Sequence, residues 1–289
     1  MQRLLYLIIY PFLWGTSLLP LSILYIKSSV LYVIAYHIIG YRKKVVMQNL
    51  SLTFPSETEA TKRKIAKQFY KHLCDLIFES IKSLTISEAA MRKRFQVENI
   101  DMLTPYYEKG QSIFLMAGHY ANWEWSGILT TMFDYEGIAV YKPLDNPYFD
   151  RLVKRTRSRF GPTVVTNKAI VPMLFRKKKK GETTLSYILS DQTPKRDAYK
   201  HRDLFMGIDV PVFTGTEELA KKLDFPVFYL QVYKRKRGYY TSKLIPLTDK
   251  PKELPNYAIT RKFLDALENQ IRETPQYYLW SHKRWKHRA

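Results

Sequence analysis

Hydrophobic and polar positions follow three different rhythms along this chain. From Leu4 to Ile26 no residue carries a formal charge, and after Lys27 the uncharged run resumes from Ser28 to Tyr41. As a helix the first stretch would extend roughly 34 Å, enough to cross the hydrocarbon core of a bilayer. Pro11, Gly15 and Pro20 would kink such a helix, which membrane helices tolerate. Tyr6, Tyr10, Trp14, Tyr25, Tyr32 and Tyr36 suit an interfacial setting. A cleaved signal peptide fits poorly, because the apolar stretch is too long and no small-x-small site follows cleanly. The pattern therefore predicts a membrane anchor over residues 1–41, compatible with spanning the bilayer or lying in one leaflet, ahead of a domain over 42–289. The competing reading is a pair of helices buried in a soluble domain.

The second rhythm is helical. Ser56 to Leu84 reads as a long amphipathic helix with Ile65, Phe69, Leu73, Leu76, Ile77 and Ile81 as its buried stripe and a polar face rich in Lys and Arg. After it, short apolar runs alternate with amphipathic ones. Strands are expected at 112–117, 137–141, 162–166, 184–190, 225–233 and 239–245, and helices at 122–134, 147–160, 168–178, 215–223 and 257–273. Six strands interleaved with helices give a layered α/β domain with a mixed sheet. Lys234 to Gly238 forms a basic turn between the last two strands, predicting an antiparallel hairpin, and Thr214-x-x-Glu217 has the form of a capping box.

Charge and composition narrow the partners. Lys and Arg number 47 against 26 acidic residues, a formal charge of +21, so anionic partners are expected: phospholipid, phosphorylated small molecules or nucleic acid. Arg42, Lys43 and Lys44 follow the anchor directly, and the positive-inside tendency places the domain on the cytoplasmic side. The single cysteine, Cys74, excludes an internal disulfide or a thiolate metal cluster and sits in the helical stripe as a structural residue. Phosphate-loop, dinucleotide and nucleophile-elbow motifs are missing, as is His-Glu-x-x-His, so neither a covalent acyl-serine route nor a metal site is expected.

One stretch carries candidate chemistry. The apolar run from Ser112 delivers His119 and, five residues on, Glu124, where a strand ends and a helix begins. In α/β proteins ligands sit at the carboxyl ends of strands, and a histidine oriented by a carboxylate is the minimal general base for a hydroxyl. Residues five apart do not share a helix face, so His119 is expected before the helix and Glu124 in its first turn, with Asn122 as N-cap.

Gly118-His-Tyr-Ala-Asn-Trp-Glu124 resembles the signature of the bacterial lipid A biosynthesis acyltransferases, the late or secondary acyltransferases of the lysophospholipid acyltransferase superfamily. The resemblance continues through Gly40 to Pro55, through Arg157-Ser-Arg-Phe-Gly161 and through Ser190-Asp-Gln192. Leu204 to Gly207, Val210 to Gly215 and the closing Tyr278-Leu-Trp-Ser-His-Lys-Arg-Trp-Lys286 complete it. It implies a three-layer α/β acyltransferase domain behind an N-terminal membrane helix in the bacterial inner membrane. The implied reaction moves a fatty acyl chain from an acyl carrier protein thioester to a hydroxyl of a phosphorylated glycolipid, a lipid A precursor, without a cofactor. His119 would be the base, Glu124 the group fixing its tautomer, and Arg157, with Arg159 as its competitor, the stabiliser of oxyanion or substrate charge. Asn122, Asp191, Gln192 and Arg284 are candidates for substrate binding. The basic clusters Arg176–Lys180 and Lys283–Arg288 would meet the anionic inner leaflet, with Trp280 and Trp285 arguing that the second one docks. A lysophospholipid or an amino-acid lipid is the alternative acceptor. A basic nucleic-acid-binding protein, conceivable from the 15% aromatic content, lacks every familiar recognition pattern, so no nucleic acid is expected.

Overall fold

The run Ile113–Ala117, apolar at every position, becomes a strand buried on both faces, as parallel strands covered by helices must be. The computed structural model describes residues 2–133 and 135–289. Its helices are α1 (Gln2–Leu18), α2 (Leu21–Tyr32), α3 (Lys43–Thr53), α4 (Glu59–Lys82), α5 (Glu88–Arg94), α6 (Thr104–Glu108), α7 (Pro147–Arg157), α8 (Ile170–Lys179), α9 (Gly215–Leu223) and α10 (Ala258–Glu273). Its strands are β1 (Phe95–Val97), β2 (Ile113–Ala117), β3 (Glu136–Tyr141), β4 (Thr163–Thr166), β5 (Thr184–Leu189), β6 (His201–Phe205), β7 (Ile208–Val212), β8 (Val227–Lys236) and β9 (Tyr239–Thr248). Seven of them form one sheet in the order β1-β9-β8-β2-β5-β3-β4, flanked by helices, and β6 and β7 pair separately. Among the described residues, β8 and β9 are the one antiparallel pair of the large sheet, so the α/β class and the mixed sheet expected from the sequence are what the chain forms. The hairpin at Lys234 to Gly238 forms as well.

Strand direction fixes which end of the sheet the N-terminal helices meet. Because β2 and β8 run parallel, the β8–β9 turn lies at the end of the sheet where β2 releases His119. That turn packs against α2: the Arg237 guanidinium donates to the Tyr25 carbonyl at 3.0 Å, and a Cβ on Gly238 would collide with the Tyr25 hydroxyl. The N-terminal helices therefore sit at the His119 end of the sheet.

Four local expectations are corrected. The apolar stretch Leu4–Ile26 is not one helix; it breaks at Leu19 and Pro20, and α2 continues through a π-helical turn, Val33–Ile38. Proline removes a backbone donor and disfavours helix in the residue before it, so Leu21–Ile38 is the segment long and apolar enough to cross a membrane. The stretch expected as helix 122–134 is a 3-10 helix, Trp125–Thr131. On α4 the buried face includes Ile65, Phe69 and Leu76 but turns through Tyr70, His72, Asp75 and Glu79, leaving Ile77 43% exposed. Polar residues hold the inner face there, which hydrophobic periodicity does not register.

The capping box at Thr214 also fails to form. Thr214 donates its hydroxyl to Glu218 at 2.7 Å, and buried Glu217 instead accepts from the backbone N–H and the hydroxyl of Thr260 on α10, at 2.9 and 2.7 Å. Glu217 thus ties α9 to the start of α10. Replacing Glu217 by Ala strips both donors of their acceptor and is expected to lower stability by about 1–3 kcal/mol. A urea titration should show a lower midpoint with an unchanged slope.

Candidate active site

Gly118 leads out of β2 under α10, where a Cβ would lie 2.8 Å from the Leu267 side chain. Two residues past His119, Ala121 takes a left-handed conformation, φ +49°, which costs a non-glycine residue free energy unless its surroundings enforce it. They do. The Ala121 N–H donates to the Tyr277 carbonyl at 3.0 Å, and its carbonyl pairs with His72 Nε2 at 3.2 Å. Burial, followed by the adjacent Lys234, holds His72 well below its ordinary pKa. Its neutral ring therefore donates from Nε2 to Ala121 and accepts at Nδ1 from Lys234 at 3.1 Å.

Asn122 is buried and accepts from the Trp125 N–H at 3.0 Å, while its amide donates to Glu79 at 2.7 Å; the N-cap position expected for it is taken by Glu124, directly before the 3-10 helix rather than in its first turn. Glu79 also accepts from the hydroxyls of Tyr25 and Tyr240 at 2.9 and 2.8 Å. Burial pushes the Glu79 carboxyl up, and Lys234 with these two phenols offsets only part of that rise. Asn122 thus joins the loop to α4 and is turned into the interior.

The partner of His119 is a correction. Its Nδ1 lies 2.7 Å from Asp191 Oδ1, the tautomer-fixing contact that the sequence assigned to Glu124. Asp191 follows β5, the direct neighbour of β2, and is 1% exposed. Burial raises its pKa, but the charge and ring N–H of His119 and the backbone N–H groups of His119 and Asp191 outweigh this and hold it below the ordinary value. With Nδ1–H given to a carboxylate, His119 keeps its lone pair on Nε2. There the Gln192 amide sits at 3.1 Å, and the ring, 16% exposed, stands edge-on to Trp123 at 5.2 Å.

Glu124 binds elsewhere. Arg157 grips its carboxylate with two N–H groups, Nε at 2.9 Å and Nη2, and Trp123 Nε1 donates to it at 3.2 Å. Burial lowers the Arg157 pKa, but Glu124 raises it further, so the net shift is upward. The indole of Trp123 therefore stands between the two groups. Glu124 and Arg157 line a cavity of about 240 Å³ together with Leu13, Met91, Leu152 and Phe160. Arg159 points away, donating to the Ser83 carbonyl at 2.9 Å. Arg284 is buried to 1% exposure, so direct substrate contact is not its position here. The strongest missed feature is the His72, Asp75, Glu79 and Lys234 network; the signal was present as polar residues on the inner face of α4.

An imidazole held by a buried carboxylate at Nδ1, with its second nitrogen on the partly exposed side against the Gln192 amide, has the chemistry to take a proton from a hydroxyl. The family whose members are described as bacterial lipid A biosynthesis acyltransferases matches residues 2–287, and the chain belongs to it. It is 25% identical over 280 residues to the lipid A biosynthesis lauroyltransferase of Escherichia coli K12, covering 96% of this chain and 89% of that protein. It is 23% identical over 292 residues to the palmitoleoyltransferase of the same organism, with the same coverage. A lipid A biosynthesis acyltransferase of Haemophilus influenzae is 23% identical over 237 residues, covering 80% of this chain and 72% of the relative.

Asp191→Asn tests the geometry. An amide donates to Nδ1 and moves the ring proton to Nε2, where the lone pair is needed. Acyl transfer should fall about 10²–10⁴-fold with the circular dichroism spectrum unchanged. Wild-type turnover in a folded variant would remove Asp191 from the site.

Proposed function

We propose that this protein transfers a fatty acyl chain from an acyl carrier protein thioester to a hydroxyl of a lipid A precursor, at the cytoplasmic face of the bacterial inner membrane. The observation that carries the reading is the His119–Asp191 pair, which leaves the lone pair on Nε2, where the Gln192 amide now sits and an acceptor hydroxyl would take its place. The acceptor hydroxyl gives its proton to Nε2 as its oxygen attacks the thioester carbonyl. The tetrahedral oxyanion collapses, the carbon–sulfur bond breaks, and the departing thiolate takes the proton back from the imidazolium. No acyl-enzyme forms, and the histidine ends as it began. General-base help of this kind contributes about 10²–10⁴-fold, and donors aimed at the oxyanion add more.

Glu124 and Arg157 act in this scheme as a unit. Glu124 fixes the guanidinium by two of its N–H groups, and Nη1 remains to meet the thioester oxygen or a substrate phosphate. The apolar cavity beside them suits part of an acyl chain. The membrane setting is supported by exposed Leu4, Leu7, Ile8 and Phe12 on α1 and Ile26 and Val30 on α2, which belong to helices at the His119 end of the sheet. A lipid acceptor held in the leaflet would then reach the base sideways.

The test is a mass spectrum of lipid A and phospholipids from cells lacking the protein, restored with wild type or His119→Ala. Loss of one lipid A acyl chain, returned by wild type alone, is the expected outcome. Unchanged lipid A with an altered phospholipid or amino lipid would move the acceptor and leave the chemistry. Arg157→Lys should also be impaired, since an ammonium cannot reproduce the planar two-point grip; unaltered kinetics would return Arg157 to a purely structural role.

A further inference from the structure

A base able to take a proton from a lipid hydroxyl can take one from water as well. Beside an acyl thioester the two reactions diverge. Attack by the lipid oxygen forms an ester. Attack by a water oxygen on the carbonyl carbon breaks the same carbon–sulfur bond, with the water proton passing through Nε2 to the departing thiolate. The products are then a free fatty acid and the carrier's thiol, and the acyl chain is lost. Both reactions use one lone pair, so the group that holds this lone pair decides between them.

That group is Gln192. Its side-chain nitrogen lies 3.1 Å from His119 Nε2. The ring N–H at Nδ1 is given to Asp191 at 2.7 Å, so Nε2 is an acceptor and the Gln192 amide is the donor. The ring is 16% exposed, and solvent reaches it. On both sides of Gln192 the chain is fixed. The Ser190 N–H donates to the Ala117 carbonyl at 3.0 Å, Asp191 is held by the ring, and the Thr193 hydroxyl donates to the Arg284 carbonyl at 2.5 Å. The half-buried Gln192 side chain makes this one hydrogen bond among the described residues. It can therefore turn off Nε2 about its own torsions while the loop stays in place.

We propose that Gln192 is a specificity-determining latch on the base: its amide and the acceptor hydroxyl compete for one lone pair, and a hydroxyl held by further contacts of its own displaces the amide where water does not. This rests on the reading of His119 as the base. A donor tethered beside its acceptor acts at high effective concentration, which disfavours a free water molecule. A lipid acceptor brings binding energy from parts remote from the reacting hydroxyl, and this offsets the loss of the amide bond. Once the hydroxyl is in place it occupies the lone pair itself. The latch thus slows loss of the acyl chain to water and costs the acceptor some affinity.

The experiment compares full-length wild type with Gln192→Met, which keeps the length of the side chain without a donor, and Gln192→Asn, whose amide falls short of Nε2. Diethyl pyrocarbonate modifies an accessible, unprotonated imidazole nitrogen, and its addition to His119 is followed by peptide mass spectrometry at about pH 8. Both variants should react about two- to tenfold faster than wild type, the worth of one neutral hydrogen bond. With acyl carrier protein thioester and no acceptor, release of free fatty acid should rise by a similar factor above the His119→Ala background. The KM for the acceptor should fall, because the hydroxyl no longer displaces an amide. A residue that binds substrate or merely supports the loop would instead raise KM and leave His119 reactivity and thioester hydrolysis at the wild-type level. That result in a folded variant would overturn the proposal. Should Gln192→Met not fold, Gln192→Asn decides by the same readouts. The diethyl pyrocarbonate reaction needs neither donor nor acceptor, so a wild type that acylates no lipid A precursor would sink the functional reading and leave the latch standing.

Discussion

The bond between His119 Nδ1 and Asp191 Oδ1 is the contact around which the site is organised, and it exists because two strands distant in sequence lie side by side. β2 and β5 run parallel and in register from Ile113 opposite Leu185 to Ala117 opposite Leu189, and the Ser190 N–H continues the ladder to the Ala117 carbonyl at 3.0 Å. The pair then emerges at one end of the sheet by construction. A buried carboxylate is costly to desolvate unless it is paired and hydrogen-bonded. Asp191 has ring and backbone donors directed at it, so the price of burying a charge is offset by contacts that also aim the imidazole.

The loop that follows His119 is held by polar groups where a hydrophobic core would have been simpler. His72 and Glu79, both on α4, grip Ala121 and Asn122, while Asp75 on the same face accepts from Ser28 of α2 at 2.7 Å and from Lys234 and Arg237 of the hairpin. Hydrogen-bonded side chains define direction as well as distance, and a nonspecific apolar contact does not. The left-handed turn at Ala121 therefore has one stable setting, and α4 carries it jointly with the N-terminal helices and the hairpin. Removing one member would leave a buried charge or donor uncompensated, which is more damaging than never having had it.

Much of this was readable in the chain because periodicity and turn chemistry are local. The six strands of the apolar runs and the hairpin follow from local pattern, and so does the delivery of His119 at a strand end. Trp280 and Trp285, by contrast, expected to dock a basic cluster on the leaflet, are buried in the protein's own core. What failed was non-local or polar. Glu124 lies five residues from His119 and Asp191 seventy-two away, and spacing along a chain favours the near residue, whereas the sheet brings in the far one. Glu217 fits a capping motif but reaches across to α10, and hydrophobic periodicity runs the α4 stripe through Ile77 because Glu79 and Asp75 do not look like core. β1, three residues long, is too short for alternation to register, β6 opens on the polar run His201-Arg202-Asp203, and β7 carries Pro211, which argues against a strand.

The large positive charge is also not uniformly available to anionic partners. In the Arg176–Lys180 cluster, Lys177 is bound by Glu136 and Glu182, and Lys178 donates to the Leu223 carbonyl. Lys234 and Arg237 are committed to Asp75, and Arg261 to Asp203, Asp265 and Glu268. These cations hold helices and the hairpin in place, and their fields are neutralised within a few ångströms. Arg157 differs in kind, because Glu124, itself bonded to the Trp123 indole, holds it at the wall of an apolar cavity. On the proposed mechanism, a carboxylate five residues after the histidine would act without touching it, by fixing the Arg157 guanidinium through two N–H groups while also accepting from the Trp123 indole.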